Sequence, residues 1–152
     1  MAVSVILELS APDAPDAIRQ LADSLAQADG VADPAQLLAD ALAREAIVST
    51  YVGDGVALPH ARTDAVTARV VAIARSAAGV PFGHNNELAH LIVLVGCPRR
   101  EVAAYLAFSR QLLRRLRDPL VRAKLLAATD PAKFLQVLDL GDALPAAGSA
   151  AP

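Results

Sequence analysis

The chain has 152 residues, enough for one domain with a real core and too few for two ordinary ones. A formal net charge of -2 and an aromatic content of 3% argue against a nucleic-acid partner, which needs a basic face or stacking platforms. Hydrophobic residues make up 55%, yet no run approaches the roughly 18 to 20 apolar residues of a membrane span, so none is expected.

In chain order, residues 3 to 8 read as a strand, β-branched and leucine-rich without a breaker. The same stretch lacks a basic start and meets Glu8 too early for a secretory leader, so a soluble cytoplasmic protein is expected. A helix is predicted to begin near Asp13 or Ala14 and to run to about Ala28, stopping at Gly30. Its Ile18, Leu21 and Leu25 repeat at helical spacing. Three Asp-Pro pairs, Asp33-Pro34, Asp118-Pro119 and Asp130-Pro131, each place a good N-cap before a proline at the first helical position. Helical patterns follow over Ala35 to Arg44, Leu120 to Ala127 and Ala132 to Leu138. Strands are predicted at residues 69 to 74 and 91 to 95. The second is apolar without alternation, as in a central strand covered on both faces. Pro98 ends it and opens a helix over about 99 to 117, with Val102, Leu106, Ser109, Leu113 and Leu116 facing inward and most arginines outward. This order predicts an α/β fold, a mixed β-sheet flanked by helices in a single domain over residues 1 to 140. Residues 141 to 152 read as a flexible Ala/Pro/Gly tail.

The most informative stretch runs from Ser49 to Arg62. Gly53 and Gly55 permit a tight turn, Val56-Ala57-Leu58 is extended, and Pro59 holds Leu58 out of the helical region. Val56 and Leu58 then share one face and point into the core, and His60 is expected where the segment leaves the sheet. A phosphoryl acceptor needs a neutral imidazole whose second nitrogen is oriented by a hydrogen bond. It also needs donors for the charge on the equatorial oxygens. Thr50 or Ser49 can supply a hydroxyl, and Arg44 and Arg62 the cationic fork that suits phosphate. Without more, this is a weak signal, because a lone histidine in a chain of this size is usually structural or solvated.

The segment from Ala43-Arg44-Glu45 to Arg62 resembles the signature of the enzyme IIA domains of the phosphoenolpyruvate-dependent sugar phosphotransferase system, fructose/mannitol class, which includes the nitrogen-regulatory paralogue. The pattern is an Arg-Glu pair, a Ser-Thr, a Gly-x-Gly, an apolar pair and Pro-His, all in order here. Gly79-Val80-Pro81-Phe82 resembles the family's glycine-aromatic turn, and Leu91 to Pro98 its central strand. Leu125-Leu126-Ala127-Ala128 stands in place of its late helix, so the likeness covers about residues 3 to 138. The resemblance implies that His60 accepts a phosphoryl group from an HPr-type phosphocarrier and passes it to a IIB domain, with Arg44 and Thr50 orienting or stabilising it. It implies no cofactor. Arg62 is a suggestion of physical chemistry alone.

One position departs from the pattern. Many members carry a second histidine early in the long helix, where this chain has Ala104-Tyr105-Leu106. Tyr105 can donate a hydrogen bond but cannot carry an imidazolium charge. With no fused IIB or membrane IIC segment in the sequence, the alternative is a regulatory binding module that controls a transporter, kinase or other partner. His84 and His90 with His60 suggest a metal site only loosely; a polar turn and a strand start account for them better. The lone Cys97 excludes an intrachain disulfide and reads as a buried strand-end thiol, while Tyr51 and Phe108 read as packing. Lysine occurs only at 124 and 133, and the bias toward arginine carries no functional reading. Most arginines of the long helix read as a solvated face, with Arg99 and Arg100 placed to meet an acidic partner.

Overall fold

A computed structural model describes residues 1–139. Its elements are β1 (Ala2–Ile6), α1 (Ala14–Ser24), α2 (Pro34–Ile47), the short strands β2 (Tyr51–Gly53), β3 (Val56–Ala57) and β4 (His60–Arg62), the long strands β5 (Val70–Pro81) and β6 (Leu88–Cys97), and the helices α3 (Val102–Leu116), α4 (Pro119–Ala127) and α5 (Pro131–Leu138). The expected tail, residues 141 to 152, lies outside the described residues.

The six strands form one mixed sheet in the order β1-β5-β6-β3-β2, with β4 beside β6 beyond the end of β3. β5 runs parallel to β1 and antiparallel to β6, while β3 and β4 both run parallel to β6. Side chains alternate across the two central strands. Ala72, Ala74, Ile92 and Leu94 pack with Ile18 and Leu21 of α1, Leu25 just past its end, and Leu37 of α2. Val71, Ile73, Val93 and Val95 pack with Phe108, Leu112, Leu125 and Phe134 from α3, α4 and α5. The result is the expected α/β architecture, one mixed sheet with helices on both faces, and Leu91 to Val95 is buried on both sides. Among the described residues, no helix is long and apolar enough to cross a membrane.

Every Asp-Pro pair starts a helix as its chemistry requires. The side chains of Asp33, Asp118 and Asp130 accept hydrogen bonds from the N–H groups of Gln36, Leu120 and Lys133, and Asp13 does the same for Asp16. Two helices differ from expectation. α1 ends at Ser24 rather than Ala28: the Ser24 hydroxyl donates to the Leu21 carbonyl at 2.6 Å, and tight three-residue turns at Leu25, Ala26 and Ala28 carry the chain onward. α3 begins at Val102 rather than 99, and its inward face is Tyr105, Phe108, Leu112 and Leu116. The expected stripe is therefore rotated, with Val102 36% and Leu106 48% exposed. Phe108, the bulkiest apolar side chain of the helix, sets that rotation by seating between the sheet and the Arg69 guanidinium, 4.5 Å above its ring.

The long strands exceed their predicted lengths because pairing continues through an irregularity. Arg75 faces Leu91 and Val80 faces Ala89, so β5 carries extra residues between them. Gly79 sits there at φ +84°, and a Cβ would lie 2.9 Å from the His90 ring. Gly79 is thus inside a bulge rather than in a turn. The tight turn comes later, where the Asn86 N–H donates to the Gly83 carbonyl.

Candidate functional site

The hairpin joining β2 to β3 turns through Gly53, Asp54 and Gly55, all at positive φ. Its tip is closed by the Gly55 N–H donating to the Tyr51 hydroxyl at 3.0 Å. At its open end the Leu58 N–H donates to the Thr50 carbonyl at 3.0 Å. Pro59 has no N–H, so the ladder breaks there, yet its carbonyl accepts from the Val95 N–H at 3.1 Å. Pairing with β6 then resumes, His60 opposite Val95. His60 therefore begins a strand, β4, and does not mark the chain's exit from the sheet.

The imidazole is half-buried. Its Nδ1 lies 3.0 Å from the Leu58 carbonyl, which can only accept, so the proton of the neutral ring resides on Nδ1. The lone pair is left on Nε2, which has no hydrogen-bond partner among the described residues. Burial is the main cause holding the His60 pKa below its ordinary 6.5. The Leu58 bond and Glu45 oppose that shift, and the charges of Arg44 and Arg62 add to it.

His60 opens into a pocket of about 410 Å³ between α2 and the loop after β6. The functional part of its lining is Asp40, Arg44 and Ile47 from α2, His60 and Arg62 from β4, and Arg99. Three of the expected residues, His60, Arg44 and Arg62, thus share one cavity. Arg44 also donates to the Val48 carbonyl at 2.9 Å, which ties it to the end of its own helix. Tyr105 reaches His60 from α3, with ring centroids 5.4 Å apart and planes tilted by 34°. Burial raises its phenol pKa, and a side-chain hydrogen bond with Ser109 works against the rise.

Thr50 is not in the pocket lining. It is buried, and its hydroxyl donates to Glu45 Oε1 at 2.5 Å while its N–H donates to Oε2 at 2.9 Å. The Ser49 hydroxyl is likewise engaged, by the Phe82 carbonyl. Asp40 escaped sequence reasoning. Thr63 donates to one of its oxygens at 2.6 Å and Gln36 to the other at 2.7 Å, so its charge is held by the protein's own donors. The signal was present in the spacing of Asp40, Arg44 and Ile47, which places all three on one face of α2.

The other histidines lie apart from this pocket. His90 Nδ1 bonds the Ser76 carbonyl at 2.9 Å inside the β5 bulge, beside a second groove that includes Leu9, Arg75 and Leu126. His84 occupies the turn before β6. Cys97 is buried at the end of β6, and burial pushes its thiol pKa up. Among the described residues no group of three His, Cys, Asp or Glu side chains is arranged to hold a metal ion.

The family model described as "Phosphoenolpyruvate-dependent sugar phosphotransferase system, EIIA 2" matches residues 2–140. The chain is 37% identical over 123 residues to the PTS system fructose-specific EIIA component of Haloferax volcanii, covering 80% of each. It is 31% identical over 127 residues to the PTS system 2-O-alpha-mannosyl-D-glycerate-specific EIIABC component of Escherichia coli, covering 82% of this chain and 19% of that protein. Among solved structures, nitrogen regulatory protein IIA-Ntr from Neisseria meningitidis superposes with a TM-score of 0.81 at 20% identity, covering 89% of this chain and 92% of that one. The mannitol enzyme IIA of Escherichia coli, solved in complex with phosphorylated mannitol enzyme IIB, superposes with a TM-score of 0.78 at 24% identity over 89% and 93% of the two chains.

Proposed function

Because this chain belongs to the EIIA 2 family of the phosphoenolpyruvate-dependent sugar phosphotransferase system, we propose that it is a phosphocarrier whose acceptor atom is Nε2 of His60. The observation that carries this reading is the Nδ1–H bond to the Leu58 carbonyl, which leaves the Nε2 lone pair beside Arg44 and Arg62. In the forward step that lone pair attacks the phosphorus of a phosphorylated HPr-type protein. The N–P bond to Nε2 forms as the bond from phosphorus to the donor's leaving nitrogen breaks, and that electron pair stays with the donor. Nδ1 keeps its proton, so the phosphorylated ring is cationic and its positive charge rests against the Leu58 carbonyl. When that N–P bond breaks, its electron pair returns to Nε2 and the ring leaves as a neutral imidazole, a good leaving group that suits onward transfer to a IIB-type partner.

Arg44 and Arg62 meet the equatorial phosphoryl oxygens, and Arg99 adds charge at the rim. Asp40 stays clear of the phosphate because Thr63 and Gln36 hold it. Tyr105 packs on the imidazole and limits its rotation. Thr50 serves the site through the backbone that carries His60. No cofactor enters the reaction, and the protein works in the cytoplasm, where it meets a donor fed by phosphoenolpyruvate.

Incubation with phosphoenolpyruvate, enzyme I and HPr, followed by intact-mass measurement, tests the reading. One acid-labile phosphoryl group is expected on the wild type and none on His60→Ala; an unlabelled wild type beside a labelled control IIA domain refutes it. Arg44→Ala is expected to slow acceptance about 100-fold, the size of losing one charge-stabilising donor.

A second reading, a regulatory module whose phosphorylation switches its hold on a transporter or kinase, is favoured by Tyr105. The side chain against His60 is a phenol with no charge to offer at neutral pH. Fast labelling of His60 combined with no transfer to any IIB domain supports that reading over sugar transport.

A further inference from the structure

We propose that Glu45 is a positioning residue for His60, acting through Thr50 and Leu58; the inference builds on the accepting role of His60 proposed above. Glu45 lies in the last turn of α2 and its carboxylate takes both donors of Thr50, the N–H at 2.9 Å and the hydroxyl at 2.5 Å. Thr50 is only 6% exposed, so water competes poorly for either bond. The Thr50 carbonyl accepts from the Leu58 N–H at 3.0 Å, and the Leu58 carbonyl accepts from His60 Nδ1 at 3.0 Å. A continuous hydrogen-bonded series thus runs from the end of α2 to the reactive ring.

What passes along this series is position, not a proton. Each residue donates and accepts through different peptide planes, so the bonds fix the backbone of Thr50 and Leu58 rather than polarising one another. Pro59, with its fixed φ, stands between the Leu58 carbonyl and His60. The carbonyl's place decides the tautomer: within reach it holds the proton on Nδ1, and displaced it lets the proton move to Nε2 and block the nucleophile. Glu45 also follows Arg44 directly, so one turn of α2 places both the guanidinium and, through Thr50, the imidazole. This accounts for a threonine whose hydroxyl turns away from the pocket.

Nitrogen NMR of the His60 imidazole in the full ¹⁵N-labelled chain reads the tautomer with no phosphoryl donor present. In the wild type the Nδ1-protonated form is expected to dominate. Glu45→Gln, which loses one acceptor oxygen, and Thr50→Val, which keeps the shape but loses the hydroxyl, are each expected to raise the other form severalfold. Each should also slow acceptance from phosphorylated HPr about tenfold, the scale of a small misplacement near a reacting group. Thr50→Ser retains both donors and is expected to restore the wild-type ratio. The double variant Glu45→Gln/Thr50→Val should be little slower than either single one, because both remove the same link. A tautomer ratio unchanged in Glu45→Gln or in Thr50→Val overturns the inference even if the melting temperature falls, and so does a Thr50→Ser protein that behaves like Thr50→Val. A wild type with the Nδ1-protonated ring that takes no phosphoryl group defeats the phosphocarrier reading instead, and leaves the positioning result standing.

Discussion

The imidazole of His60 sits half-buried beside two guanidinium groups, with burial the largest cause of a pKa below 6.5. A group whose folded pKa is depressed is neutral in the native state at pH values where the unfolded chain already protonates it. Its contribution to stability is therefore whole above the unfolded value and is lost as pH falls through the folded pKa. The same sign governs chemistry. Phosphoryl acceptance is expected to stay flat from pH 8 down past 6.5 and to fall only below the depressed pKa, which a pH–rate profile will show. In an NMR titration Arg44→Ala should raise the His60 pKa, since that charge lowers it, and Glu45→Gln should lower it further. At this scale the sequence was readable wherever partners are close in the chain. His60, Pro59 and Arg62 lie within four positions, and a helix followed by a hairpin was enough to bring Arg44 to them. The Thr50 hydroxyl was assigned to phosphate because its competitor, Glu45, becomes a neighbour only when α2 ends just before β2.

At the scale of elements, arginine closes helix after helix. Arg44 donates to the Val48 carbonyl past the end of α2, and Arg122 to Leu116 at the end of α3. Arg115 takes Val137 and Leu138 at the end of α5. Arg75, from β5, gathers the Leu125, Leu126 and Ala128 carbonyls at the end of α4 and still reaches the Leu7 carbonyl through Nε. A planar fork with five donors can serve several carbonyls at once, and its charge complements the negative end of the helix. Arg75→Ala is expected to cost about 2 kcal/mol in urea unfolding, and Arg75→Lys to recover only part of it, because one ammonium cannot span that set. The arginine bias that looked functionless in the sequence thus has a structural use. It was hidden there because the carbonyls capped by Arg75 lie 50 to 53 residues away. The inward face of α3 was misjudged for a related reason: Phe108 follows the Arg69 guanidinium, a partner no helical period reports. The N-caps, by contrast, depend on residues two or three positions apart and were legible.

Over the whole molecule, β5 and β6 send alternate side chains into two cores, so neither layer of helices can detach without exposing the sheet. Phe134→Ala, at a fully buried position outside the pocket lining, is expected to lower the unfolding free energy by about 3 to 5 kcal/mol. Circular dichroism and tyrosine fluorescence should still report one transition. The layered architecture was readable because strands and helices alternate in composition. The irregular β5 and the two-piece partner of β6 were not, since a bulge and a proline break leave only Gly79 and Pro59 as traces. The break has a colloidal consequence. Among the described residues β4 pairs only with β6, so its other margin presents backbone that a strand of a neighbouring molecule could extend. The margin is three residues long, and the like charges of Arg62 and Arg99 repel a second copy that approaches it. Stripping those arginines is therefore expected to ease pairing along this margin, and concentrated salt, by screening them, to favour self-association of the intact protein.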